Sequence, residues 1–215
     1  EELVDVIFDE KVPIFVSGLG TPGPWVQRMH EQGMKIVALV GNVRHARRCA
    51  EDRVDIIVAQ GHEAGGHTGR VAALALVPQV VDSVAIPVVA AGGIGDGRGL
   101  AAALSLGAQG VQMGTRFICA EECIAHPNFK RKLLQARDRA TVVTGYSTGH
   151  PVRCVENRMT RKFLELEKSG APVEELERFA EGRLQLAALQ GDTEEGSVMA
   201  GEISGLIREV KPAAA

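Results

Sequence analysis

"PVVAAGGIGDGRGLAAALSLGAQGVQMGT" spans residues 87–115 and carries the pattern on which the fold turns. A run of apolar β-formers ends in Gly92 and Gly93, a stretch rich in alanine and leucine follows, and a second short run ends at Gly114 and Thr115. The first run is apolar throughout rather than alternating, as expected of a strand buried on both faces. Strand, helix and strand at this spacing make a βαβ unit, whose strands are parallel. Upstream the pattern repeats in "PIFVSG" (13–18), "KIVALV" (35–40) and "DIIVAQG" (55–61), each followed by a helix-like segment such as "PWVQRMHEQG", "VRHARRCAED" or "ALVPQVVDSV". Glycines gather at the carboxyl ends of these strands, where parallel α/β folds build their sites.

The glycines suggest a ligand. Without a Cβ, Gly92 and Gly93 let backbone N–H groups approach an anion, and Gly114 and Thr115 offer the same at the next strand end. Two consecutive glycine-rich ends resemble the phosphate site of the last two strands of a (β/α)8 barrel. A dinucleotide-binding fold is disfavoured, because no GxGxxG joins a strand to a helix with an acidic residue on the next strand.

"VAQGHEAGGHTG" (58–69) raises the question of a metal. A zinc-binding HExxH places two histidines four apart on one helical face. His62 and His67 are spaced differently, and Gly65 and Gly66 would break such a helix. The stretch is expected to be a catalytic loop that holds His67 over a pocket, with His62 solvated and no metal bound. Among the other histidines, His30 and His45 are expected on solvated helix surfaces, His126 before Pro127 as a helix cap, and His150 in "YSTGHPVR" as a possible substrate contact. Cys49, Cys119, Cys123 and Cys154 lack paired CxxC spacing and read as reduced thiols.

Beyond residue 120 no further strand is expected. "NRMTRKFLELEKSG" reads as one amphipathic helix stopped at Ser169 and Gly170, and "APVEELERFAEGRLQLAALQG" as a second stopped at Gly191. The expected organisation is five βα units over 1–120 and a helical cap, returning to the barrel, over 121–215. A formal net charge of -3 and a pI near 6.1 offer no electrostatic reason for a nucleic acid or anionic membrane partner. No apolar run approaches the roughly 18 residues of a membrane span, and the start "EELVDVIFDE" is unlike a signal peptide, so a cytoplasmic protein is expected.

Five collinear stretches, "VAQGHEAGGHTG", "IPVVAAGGIGDGRG", "LGAQGVQMGTRF", "AHPNFKRKLLQA" and "GDTEEGSVMAGEISGL", resemble the FMN-dependent type II enoyl-acyl-carrier-protein reductases and the related nitronate monooxygenases. The resemblance implies an α/β TIM (β/α)8 barrel that binds FMN, with a C-terminal helical cap. It implies flavin contacts at Gln60, Gly65, Gly66, Gly92, Gly93, Gln112, Met113, Gly114 and Thr115, and an active-site histidine at His67. This sequence opens at what resembles the fourth strand, so the N-terminal strands are expected to be absent from it, and a companion N-terminal fragment is one expected partner. A homodimer is the expected assembly. In the nitronate monooxygenases a strand end carries a histidine base; here "VSGLG" (16–20) has none, which favours the reductases.

The expected activity is therefore reduction of an enoyl thioester, free or on an acyl carrier as in fatty acid biosynthesis, with NADH or NADPH as co-substrate. The alternative is nitronate oxidation with dioxygen. A non-catalytic module that binds a phosphorylated ligand is the reading from another class.

Overall fold

In the computed structural model the chain is described at residues 2–18 and 20–215, with backbone alone at residues 2 and 3. Leu19, within the "VSGLG" stretch, lies outside the described residues. In chain order the elements are α1 (Glu2–Asp9), β1 (Ile14–Ser17), α2 (Gly23–Glu31), β2 (Lys35–Val40), α3 (Val43–Glu51), β3 (Ile56–Gln60), β4 (Gly66–His67), α4 (Ala73–Val81) and β5 (Val88–Ala91). Next come α5 (Gly97–Ser105), β6 (Gly110–Gln112), α6 (Thr115–Ile118), α7 (Pro127–Leu134), β7 (Thr141–Thr144), β8 (Val152–Val155), α8 (Arg158–Lys168), α9 (Val173–Ala180), α10 (Arg183–Ala188) and a 3-10 turn (Glu202–Leu206).

The chain divides into two compact units. The first takes the residues up to Gly61, with Gly69–Ala91 and Leu100–Gln112; the second takes His62–Thr68, Gly92–Gly99 and Met113–Ala215.

In the first unit five parallel strands pair in the order β1-β2-β3-β5-β6. Strands that neighbour in sequence also neighbour in space, and α4 packs on both β3 and β5 while α3 packs on β2 and β3. A parallel crossover is right-handed almost without exception, so strands added in one direction put their helices on one face. That is the winding of a (β/α)8 barrel and not of a doubly wound sheet, whose order reverses. Ile36, Ala38, Ile57, Ala59 and Ala90 are essentially removed from water, as are Leu76, Val77 and Val80 of α4. Burial of each large side chain contributes about 1.5–3 kcal/mol, which makes these central strands the stable part of the unit.

One element of this unit has no counterpart in the sequence reading, and one expectation needs correction. The acidic start forms α1, where Arg28 lies 3.7 Å above the Phe8 ring and pairs with Asp5 at 3.2 Å. His30 is half-buried rather than solvated, with Nε2 3.0 Å from Asp55 Oδ2. Asp55 also accepts from Lys35 Nζ at 2.7 Å and from the Ile36 N–H at 2.9 Å. Burial pulls its carboxyl upward, yet these bonds outweigh burial and bring it down to about 2.

The second unit corrects the expectation of no strand past 120. β4, β8 and β7 form an antiparallel sheet, with Thr141–Thr144 in register against Val152–Val155. Both long strands have four residues and border glycine-rich turns, and β8 carries Arg153, so neither reads as a buried apolar run. The expected single helix after Pro172 is two, because Gly182 takes the left-handed φ of +72° and separates α9 from α10. α8 stops as expected at Ser169, followed by left-handed Gly170. His126 caps α7, its Nδ1 accepting from the Asn128 N–H at 3.1 Å. Among the described residues no helix is long and apolar enough to cross a membrane.

Candidate active site

In the first unit, Gln60 lies opposite Ala91 and Ala91 opposite Gln112, a single row across the carboxyl end of the sheet. Gln60 is half-buried and Gln112 exposed. The other candidate residues belong to the second unit.

The stretch expected to be a catalytic loop is tied at several points and includes a short strand. Gly66 and His67 form β4, with Gly66 opposite Arg153 and His67 opposite Val152. Arg153 is 3% exposed. Its Nε and one terminal nitrogen both donate to the His62 carbonyl at 3.1 Å, and its other terminal nitrogen donates to Thr141 Oγ1 at 2.9 Å. Glu202 completes an ion pair with it at 3.0 Å. Thr68 Oγ1 also donates to the His62 carbonyl, at 2.8 Å.

The same loop meets the chain near residue 200 backbone to backbone. A Cβ on Gly65 would overlap the Ala200 carbonyl carbon, and one on Gly201 would lie 2.7 Å from the Glu63 carbonyl. Glu202 donates its N–H to that carbonyl at 3.0 Å, and Gly201 donates its own to Thr115 Oγ1 at 2.9 Å. Gly65 and the Thr115 hydroxyl are thus committed to holding the loop. Met113 is half-buried ahead of α6.

Gly92 and Gly93 follow β5 with φ of +81° and +74°, consecutive left-handed residues whose N–H groups turn to one side. Among the described residues, the N–H groups of Gly92, Gly93 and Gly114 donate to no backbone carbonyl. A Cβ on Gly114 would meet nothing within 4 Å. Asp96, by contrast, already occupies the start of α5, accepting from the Arg98 and Gly99 N–H groups. The Arg98 side chain donates to it as well and holds its carboxyl below the usual range. An anion at the glycines therefore meets the strand-end N–H groups and not the start of α5.

A cavity of about 610 Å³ opens beside His67. The His150 ring lies edge-on to the His67 ring, centroids 6.3 Å apart. Met159, Phe163, Leu176 and Leu184 supply an apolar wall, while Thr144, Gln185, Ser197 and the carboxylates of Glu177 and Glu181 add polar lining. Gly66, with φ of +73°, would set a Cβ 3.7 Å from Met199 Sδ. The turn that carries His150 is fixed by Glu167, which accepts from the Gly145 and Ser147 N–H groups at 3.1 and 3.0 Å. A reactive thiol is not part of this arrangement: burial pushes Cys154 up to about 11, against the opposing effect of its hydrogen bond with Ser197.

Sequence reasoning singled out His67, which does line the cavity, but missed Arg153 and the cavity wall. An arginine inside the short run "VRCV" was the available signal, since arginine is almost never fully buried unless paired.

The profile of the family described as Nitronate monooxygenase matches residues 1–215. FabK from Thermotoga maritima is 44% identical, with a TM-score of 0.95 over 98% of this chain and 67% of that one. A nitroalkane oxidase from Streptomyces ansochromogenes is 32% identical, with a TM-score of 0.83 over 98% of this chain and 63% of that one. In Mycobacterium tuberculosis, a (3aS,4S,5R,7aS)-5-hydroxy-7a-methyl-1-oxo-octahydro-1H-indene-4-carboxyl-CoA dehydrogenase is 41% identical over 163 residues, which are 74% of this chain and 46% of that protein. The chain spans about half the length of the curated relatives it matches.

Proposed function

The chain belongs to the nitronate monooxygenase family, and from that premise we propose that it serves an FMN-dependent oxidoreductase whose substrate is an enoyl thioester. The observation that carries this reading is the cavity beside His67, walled by Met159, Phe163, Leu176 and Leu184. Such a wall suits an acyl chain, and it exceeds what a small polar nitronate needs. The likeness to FabK and to the indene-carboxyl-CoA dehydrogenase supports the same substrate class.

FMN fits the residues present, on the ground that Gly92 and Gly93 are left-handed and spend no N–H on backbone carbonyls among the described residues. Gly92, Gly93, Gly114 and Thr115 would hold its phosphate through main-chain N–H groups. Gln60, Gly66, Gln112 and Met113 are assigned to the flavin by resemblance, and Gly65 would serve it by letting the loop close on Ala200. Bound FMN would supply hydride chemistry, with NADH or NADPH as the electron source. As the β-carbon of the enoyl group is reduced, negative charge builds on the thioester oxygen. His67 would donate a hydrogen bond or a proton there, and the apolar wall would keep water away.

Nitronate oxidation is the second reading, favoured by the nitroalkane oxidase likeness. Anaerobic mixing separates the two. The FMN-loaded protein, reduced with NADH or NADPH, should be reoxidised by an enoyl thioester. Reduction of the oxidised flavin by a nitronate, without any response to the thioester, would favour the second reading. Failure to take up FMN would reject both.

A further inference from the structure

We propose that His150 is a second catalytic residue, which delivers a proton to the α-carbon of the thioester while His67 serves its oxygen. The proposal rests on the enoyl-thioester reading and divides between two imidazoles the work that reduction requires.

Reduction of an enoyl thioester adds hydride at the β-carbon, and the C=C pair moves to give an enolate. Two atoms then need a donor. The oxygen carries the charge and takes a hydrogen bond, whereas the α-carbon forms a C–H bond as the enolate pair takes a proton and the C=O bond is restored. An imidazole that holds the oxygen cannot at the same moment aim its proton at the α-carbon. With the proton from His150 the balance closes: enoyl group, hydride and proton make the saturated thioester, and the neutral imidazole regains its proton from water.

Donors that line the cavity are few. No lysine or arginine is among its lining residues, and the ionised carboxylates of Glu177 and Glu181 only accept. The Thr144 hydroxyl donates to the Val152 carbonyl at 3.4 Å, that of Thr148 to the Gly145 carbonyl at 2.8 Å, and Ser197 Oγ lies 3.1 Å from Cys154 Sγ. The Gln185 amide donates hydrogen bonds but releases no proton to carbon. What remains is the pair of imidazoles. Among the hydrogen bonds of the described residues, His150 donates through its main-chain N–H, to Thr148 Oγ1 at 3.2 Å, and not through its ring.

An exposed histidine on a turn is often no more than solvated, but this one is built into the wall that carries His67. His67 stands opposite Val152 in the β4–β8 pair, and the Thr68 N–H donates to the Pro151 carbonyl at 3.0 Å, which sets the two histidines side by side. The turn before β8 needs Gly145, since at its φ of +81° a Cβ would stand 2.7 Å from the His150 carbonyl oxygen. The two ring centroids are 6.3 Å apart and the ring planes 82° apart. Hydrogen bonds of about 3 Å let rings at that separation reach different atoms of one group lying between them. Crossed planes suit the division, because a hydrogen bond to the oxygen lies near the plane of the C=O group while the proton approaches the α-carbon from above it. His150 is exposed, which gives water access to its ring between turnovers.

Reduction of crotonyl-N-acetylcysteamine in deuterium oxide by the FMN-loaded protein tests the assignment, because the configuration of deuterium at the α-carbon records the face from which it came. The unaltered protein should give one configuration. In His150→Ala, kcat should fall about 10²-fold or more with KM within about twofold, and the product should carry both configurations because solvent now delivers the deuteron. His150→Gln fills similar space without a transferable proton and should scramble likewise, whereas His67→Ala should be slow yet keep a single configuration. A single configuration from either His150 variant, a mixture from the unaltered protein or a mixture from His67→Ala overturns the proposal. If the unaltered protein reduces no enoyl thioester, the thioester reading itself has failed. Exchange of the α-hydrogens of butyryl-N-acetylcysteamine in deuterium oxide, followed by NMR, then decides proton transfer separately: equal rates in the unaltered and His150→Ala proteins, including none in either, overturn it.

Discussion

Arg153 grips the main-chain carbonyl of His62 with two nitrogen donors, each at 3.1 Å. The same residue pairs by its backbone with Gly66, so one side chain and one strand bond close the stretch that presents His67. Replacing Arg153 with leucine removes both of its hydrogen bonds to the His62 carbonyl, which keeps the one from Thr68, and takes the ion pair from Glu202. We expect a loss of about 3 kcal/mol in urea unfolding, since removing one member of a buried pair costs about 3–5 kcal/mol and Glu202 is partly hydrated. Arg153→Lys keeps the charge but not the fork and should lose less. A leucine variant as stable as the parent would show that the clamp is unimportant.

His67 should matter through its side chain and His62 through its backbone. His67→Ala is expected to keep FMN bound while turnover of the thioester falls about 10²- to 10⁴-fold, the usual worth of a positioned proton donor. His62→Ala retains the carbonyl that Arg153 holds and should change turnover little. Flavin absorbance measures occupancy in both variants, and normal turnover by His67→Ala with FMN in place would remove this residue from the chemistry.

Gly93 is the most direct test of the phosphate site. At φ of +74° a β-branched side chain is strained, and its Cβ would stand 3.5 Å from the Glu63 side chain. Gly93→Val should purify without flavin and fail to regain it on addition of FMN. Full flavin occupancy in that variant would place the phosphate elsewhere.

Asp55 predicts a response to acid. Its folded pKa, about 2, lies below the unfolded value of 3.8. The native state therefore binds this proton less readily, and the resulting stability, about 2 kcal/mol, is complete above pH 4 and lost as pH falls toward 2. Asp55→Asn should unfold at lower urea than the parent at pH 6, with the gap closing near pH 2.5. A gap independent of pH would contradict the assignment.

The parallel sheet was legible because its signal is local. "KIVALV" coincides with β2 at both ends, since six apolar-leaning residues between a helix stop and Gly41 leave little else to form. His67 was legible for the same reason, standing after two glycines past a strand. Other features depend on partners distant in sequence. β8 owes its place to β7 and to Glu202, and an arginine in its middle disguises it; His30 reads as a surface residue until Asp55 comes alongside. Gly182 does offer a local cue, yet α9 and α10 share one amphipathic pattern, which a single glycine interrupts without visibly ending.

The contact of Gly65 with Ala200 and Gly201 also has a consequence in time. Ribosomes lengthen a chain at about 5–20 residues per second, so the second partner emerges on the order of ten seconds after the first. Until then the His67 segment can pair with β8 but lacks the chain against which Gly65 closes. The first unit can mature early, whereas full closure of the His67 segment waits for the "MAGEISG" stretch. Nascent chains stalled before residue 200 should accordingly protect the strands of the sheet from proteolysis and leave the His67 segment open to cleavage.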